Sequence, residues 1–138
     1  NEKHLLNTQT FKLKIIMNAL RNKVQLIGNL GMNPELKELE GGRKVAKFTI
    51  ATNEYYNNKK GEKVQETQWH NIVAWGKTAE LMEQLLDKGK EVMIEGKLTN
   101  RTWDDKDGNK RYITEVVAND FLLMTPKEGA KKEGDLPF

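Results

Sequence analysis

Cysteine and serine are both missing from these 138 residues, and histidine occurs only at His4 and His70. Without cysteine there is no disulfide and no thiolate metal site, and the redox compartment is left open. Without serine the commonest hydroxyl nucleophile is gone. Proline is scarce, at three residues. No apolar run approaches the roughly 20 residues needed to cross a bilayer, so no membrane partner is expected. Charge of one sign is also in short supply. The net charge is +3, and residues 17–124 hold 17 basic against 16 acidic side chains. A nucleic-acid footprint would therefore have to be a local patch rather than a global excess.

The same shortages bear on catalysis. Glu66 is the only carboxylate within four residues of His70, and His4 lies near the start of the chain. No glycine-rich phosphate loop, serine elbow or metal-ligand cluster occurs. Asp104, Asp105 and Asp107 lack the distant glutamate of a calcium loop and read as a solvated hairpin tip. No catalytic residue, metal or cofactor is expected.

What is present is a β pattern. Residues 1–16 read poorly as structure. Residues 11–16 alternate like a strand, but a leader, cloned or translated from upstream, is favoured, with the domain beginning at Met17. Val24, Leu26 and Leu30 alternate in a first strand, and Gly28 inside it predicts a bulge or a close backbone approach. Asn33-Pro34 marks a bend, and residues 35–40 are expected to continue that strand. Gly41-Gly42 turns into a second strand over 44–52, running on towards Tyr56. A polar loop leads to a third strand over 65–76. One short helix follows, with Thr78 as N-cap, Leu81, Met82, Leu85 and Leu86 as its face, and Lys88-Gly89 closing it. Strands over 91–103 and 111–124 flank an Asp-Gly turn. The order predicts an all-β, five-stranded OB-fold barrel with a short helix between its third and fourth strands. Residues 125–138 turn Lys/Glu/Gly-rich and read as a disordered tail.

Aromatic residues interleave with basic ones along these strands. Tyr55 and Tyr56 end the second, Trp69 and Trp75 lie on the third with Lys77 following, Trp103 stands two residues after Arg101, and Tyr112 follows Arg111. Period-two geometry puts Trp69, Asn71, Val73 and Trp75 on one face of the third strand, and His70, Ile72 and Ala74 on the other. Any one tryptophan could fill a core. Together, beside cations, they point to stacking of unpaired bases with lysine and arginine along the phosphates.

The chain resembles the bacterial single-stranded DNA-binding proteins over residues 17–124. The motifs are Asn22-Lys23-Val24-Gln25-Leu26-Ile27-Gly28-Asn29-Leu30-Gly31, Thr67-Gln68-Trp69-His70-Asn71-Ile72-Val73-Ala74-Trp75-Gly76-Lys77, Lys88-Gly89 with Val92-Met93-Ile94-Glu95-Gly96-Lys97-Leu98, and Arg111-Tyr112 before Thr114-Glu115-Val116. Base stacking on OB-fold aromatics is an established property of that family. The resemblance implies binding of single-stranded DNA without strong sequence preference during replication, recombination and repair, by a homotetramer in the cytoplasm, associated with the nucleoid. It implies stacking at Tyr56, Trp69, Trp75 and Trp103, although tryptophan is commoner where Tyr56 stands and phenylalanine where Trp75 stands. It implies backbone contacts from Lys23, Lys77, Lys88 and Arg101. Asn71 stands where arginine is common. His70 matches a position used in subunit assembly. Glu133-Gly134-Asp135-Leu136-Pro137-Phe138 resembles the family's acidic-apolar tip, which implies that Asp135, Leu136, Pro137 and Phe138 recruit replication, recombination and repair proteins. Two other readings stay open at this point: an OB-fold module that assembles a primosome or binds RNA, and a small hydrolase.

Overall fold

The computed structural model describes residues 2–125 of the chain. The expected tail and its tip at Asp135, Leu136, Pro137 and Phe138 lie outside the described residues. The elements run α1 (Glu2–Arg21), β1 (Val24–Leu30), β2 (Glu35–Glu38), β3 (Lys44–Asn57), β4 (Lys63–Trp75), α2 (Gly76–Leu85), β5 (Glu91–Asp104) and β6 (Lys110–Leu123). Neither helix is long and apolar enough to cross a membrane.

Alternation of branched apolar and polar residues makes the long strands, and their pairing closes a ring. β1 pairs antiparallel with β5, β5 with β6, and β4 with β3, while β6 and β4 run parallel. Asn29↔Ala51 and Leu30↔Ile50 join β1 back to β3 and close the ring of five strands. β2 lies on the same edge of β3, from Glu35↔Lys47 to Glu38↔Lys44. Residues 35–40 therefore do not continue the first strand. Pro34 has no N–H to give to a ladder. Asn33 accepts the Lys88 N–H through its side chain at 2.7 Å, which pins the bend between β1 and β2.

The inward-facing set is small or branched. Ala46, Phe48 and Ile50 come from β3, Ile72 and Ala74 from β4, Val92 and Ile94 from β5, and Val116 and Ala118 from β6. α2 follows β4 and adds Ala79 and Met82, with Leu86 just beyond it. This differs from the expected helix face. Leu81 and Leu85 stay partly exposed and line a groove with Phe121 and Leu123. Thr78 is not the N-cap either. The helix starts at Gly76, Trp75 occupies the cap position without a side-chain bond, and Gly76 turns the chain at φ 60°. At the other end Leu86 N–H bonds Met82 O, so the helix closes before Lys88-Gly89.

Two strand glycines are required by close approach. A Cβ on Gly28 would run into the Ala51 carbonyl, and one on Gly96 into the Val117 carbonyl. Gly96 also sits at the irregularity in the β5–β6 register, whereas the β1 register around Gly28 is unbroken.

Residues 2–21 form α1, which takes in most of the stretch 1–16 that reads poorly as structure from sequence. The helix runs through the expected boundary at residues 16 and 17 and ends at Arg21. Its described side chains, Phe11, Leu13 and Ile15 among them, are exposed. The alternation of residues 11–16 does not become a strand, because no neighbour offers them a ladder.

Candidate functional site

Odd-numbered residues of β4 point away from the core, and the outer faces of β3, β5 and β6 continue theirs. The parallel register Asn71↔Glu115 and Val73↔Val117 sets β6 beside β4. The antiparallel register Thr99↔Glu115 brings in β5, and Lys47↔Val73 brings in β3. Trp69 and Trp75 thus share one sheet face, as the period-two reading requires, and the register of β6 with β4 and β5 adds Arg101 and Trp103 to it. The three indoles are 62%, 37% and 43% exposed. Large aromatics left in water on a well-packed barrel are available to a ligand.

Cations are arranged against these rings. The Arg43 guanidinium lies 4.6 Å from the Trp75 ring centroid, Arg101 lies 5.4 Å from that of Trp103, and Lys63 Nζ is 5.2 Å from Tyr55. Arg43, Lys44, Trp75, Lys77 and Glu80 border a common depression. Within it Lys44 Nζ donates to Glu80 at 2.6 Å. That bond raises the Lys44 pKa and lowers that of Glu80. A second groove, about 430 Å³, crosses the sheet between Trp75 and Arg101 and is floored by Val73, Glu115 and Val117.

Glu115 is the one buried charged residue among the described residues. Its carboxylate accepts from Arg101 Nε at 2.8 Å and from Arg101 Nη2 at 3.3 Å. This bond raises the Arg101 pKa further.

The other expected positions scatter. Lys23 Nζ stands 3.6 Å from Glu95 at the start of β1. Lys88 lies in the loop between α2 and β5, off the sheet face. Tyr56 is exposed, but the unbroken β3–β4 register gives it the opposite parity from Trp69, and Tyr55 the matching one. His70 points to the core side of β4, with Nε2 2.9 Å from Thr52 Oγ1. Asp105 accepts the N–H groups of Asp107 and Asn109 and the Arg111 guanidinium, which lowers its pKa. The hairpin tip is thus a self-bonded turn, and no group of three or more His, Asp or Glu among the described residues could hold a metal.

Sequence reasoning named Tyr55 only as one of the interleaved aromatics and passed over Arg43 and Glu115 as site residues. For Arg43 the available signal was its odd parity with Val45, which pairs with Trp75. For Glu115 it was a lone carboxylate on the outward face of an apolar strand.

Comparison with known proteins agrees with this geometry. Residues 21–124 match the model of the Single-strand binding protein family. Single-stranded DNA-binding protein 1 of Chlorobaculum tepidum is 44% identical over 85% of this chain and 73% of its own length. Its namesake from Xylella fastidiosa is 38% identical over 85% and 87%. Among solved structures, a Plasmodium falciparum SSB in complex with ssDNA superposes with a TM-score of 0.69 at 35% identity, covering 75% of this chain and 94% of that one. A deletion mutant of the single-stranded DNA binding protein from Thermus aquaticus gives 0.65 at 29% identity, over 75% and 50%. A five-strand ring with three exposed tryptophans on one face, matched over most of its length, places this chain in the single-strand binding protein family, whose members bind DNA and are not enzymes.

Proposed function

We propose that this chain is an OB-fold protein that binds single-stranded DNA without strong sequence preference. The observation that carries the reading is the shared face of Trp69, Trp75 and Trp103, with Arg43 and Arg101 against two of the rings. Bases of a single strand can lie on these rings at about 1–3 kcal/mol each, and any base has a π-face. A duplex hides those faces, so single strands are preferred. The Plasmodium relative seen with ssDNA supports the choice of ligand. Lys77 beside Trp75 supplies a phosphate contact, and Lys23, Lys88 and Tyr56 extend the path the strand follows off the face.

Three finer readings belong with this one. The protein works in replication, recombination and repair in the cytoplasm, on the nucleoid. It assembles as a homotetramer through a surface that includes His70. Its last four residues, Asp135 to Phe138, present bound DNA to partner proteins.

The decisive experiment is a fluorescence titration with oligo(dT) over a range of salt. Quenching of tryptophan emission, weakened by salt, is the expected result. Unchanged emission at low salt with excess DNA would reject the proposal, and equal affinity for oligo(U) would turn it towards RNA. Trp69→Ala and Trp103→Ala should each weaken binding while circular dichroism stays native. Light scattering reads the tetramer. A pull-down with and without the last six residues reads recruitment, and identical partner sets would reject it.

A further inference from the structure

The binding face carries a carboxylate at its centre. Glu115 is only 6% exposed, and it lies on the floor of the groove between Trp75 and Arg101. A buried carboxylate on a surface meant for phosphates is unfavourable twice over, through its own desolvation and through repulsion of the ligand. Its position is accounted for by what it does to Arg101.

Both Arg101 nitrogens that face the carboxylate are bonded to it, in the bidentate geometry that fixes a guanidinium plane. Arg101 and Trp103 stand two residues apart on β5, on the same face, with the guanidinium 5.4 Å from the ring centroid. The carboxylate therefore holds the cation beside the indole. It also cancels the charge. Arg101 with Glu115 adds nothing to the net charge that a strand meets, in keeping with the near-neutral balance of residues 17–124.

We propose that Glu115 is a positioning residue of the binding face: it fixes Arg101 as a lateral support for Trp103 and withholds the arginine's charge from the DNA backbone. Arg101 then acts through stacking, not as a phosphate ligand, and binding on this face is weighted towards bases over charge. The inference rests on the proposed binding of single-stranded DNA and refines how that face works.

The test is the slope of log K against log salt for oligo(dT), where each phosphate contact on a single strand contributes about 0.7. Glu115→Gln keeps the shape and removes the negative charge that offsets the guanidinium, so its slope should steepen by about 0.7. The double variant Arg101→Gln/Glu115→Gln leaves the net charge unaltered and should keep the slope of the unaltered chain while losing affinity. A Glu115→Gln slope equal to that of the unaltered chain would overturn the proposal. So would a double-variant slope shallower by about 0.7, since Arg101 would then be a phosphate contact in the complex. A second readout needs no DNA. The Arg101 Nε–H resonance of the free protein should be protected from exchange, and Glu115→Ala, which removes the acceptor, should abolish that protection. An unprotected Nε–H in the unaltered chain would also overturn it. Failure of the unaltered chain to bind oligo(dT) at all would defeat the proposed function itself and is read first, before any variant is compared.

Discussion

Gly31 lies directly beneath the Trp69 ring, and Gly31→Ala should separate binding from folding. A Cβ built there would sit 2.5 Å from Trp69 Cζ3, 3.1 Å from Cη2 and 2.9 Å from Thr49 Oγ1. Carbon atoms in contact prefer about 3.5–4.0 Å, so the indole must move outward by about 1 Å or more. It can, because it is largely exposed, and Gly31 has no positive φ for alanine to strain. The cost to stability is therefore small, and loss of unfolded-state freedom offsets part of it by about 0.4–1 kcal/mol. The cost to binding is larger. A displaced ring forfeits much of one stacking contact, about 1–3 kcal/mol, or about 5- to 150-fold in affinity. Gly96→Ala is the contrasting variant. Its Cβ meets the Val117 backbone carbonyl, which cannot turn aside, so β5 and β6 must separate at a cost of about 1–3 kcal/mol or more. Oligo(dT) titration and urea unfolding of both variants decide the matter. Unchanged affinity in Gly31→Ala, or a stability loss equal to that of Gly96→Ala, would refute the reasoning.

Three other outcomes follow from the geometry. Phe48→Ala removes a buried ring from the barrel interior and should lower unfolding free energy by about 3–5 kcal/mol in urea titration. Asp105 has its pKa lowered from an ordinary 3.8, first by the Asn109 N–H and also by Arg111 and the Asp107 N–H. The stability it lends the hairpin tip is present above 3.8 and is lost as pH falls through the lower folded value. The Asp107 and Asn109 amide resonances should report a midpoint below 3.8. The Lys44–Glu80 bond raises the one pKa from 10.5 and lowers the other from 4.5. Its Glu80 part is lost as pH falls below 4.5, and its Lys44 part as pH rises through the raised value. Glu80→Gln should therefore lower the melting temperature at pH 7, and the difference should shrink as pH falls below 4.5 through the lowered Glu80 value.

Much of this fold is legible locally. Alternation placed the ends of β4, β5 and β6 within two residues, because each strand has one wet face and one dry one. The same alternation carries no strand at residues 11–16, where a strand-like pattern lies inside α1. The helix face failed for a different reason. Leu81 and Leu85 have the same apolar character as Met82 and Leu86, and only the barrel decides which pair it covers. The contacts that shape the proposed binding face are the least legible, because they join residues distant in sequence. Arg101 reaches Glu115 fourteen residues on, across a hairpin. Arg43 reaches Trp75 through the β3–β4 register. Tyr55 and Tyr56 look equivalent as neighbours, and only an unbroken register tells which one shares the face of Trp69.

The proposed binding face and the core are two sides of one constraint. In β4 the residues Ile72 and Ala74 enter the barrel, so Trp69, Val73 and Trp75 must leave it. A slip of one residue would exchange the two sets, pressing indoles into an interior lined by alanines and stranding Ile72 in water. The tight fit of Ala46, Ala74 and Ala118 inside the ring thus does more than fill space. It makes the exposed position of the tryptophans the only register the barrel accepts. Exposure of large aromatics is ordinarily a liability. Here the small interior enforces it, and the face is formed by the packing alone. Glu115 extends the same logic to charge. Its burial follows from its place on the crowded floor between β4 and β5, and that burial fixes Arg101 in turn. The packing that holds the barrel together therefore also sets which groups on its outer face are free to meet a ligand.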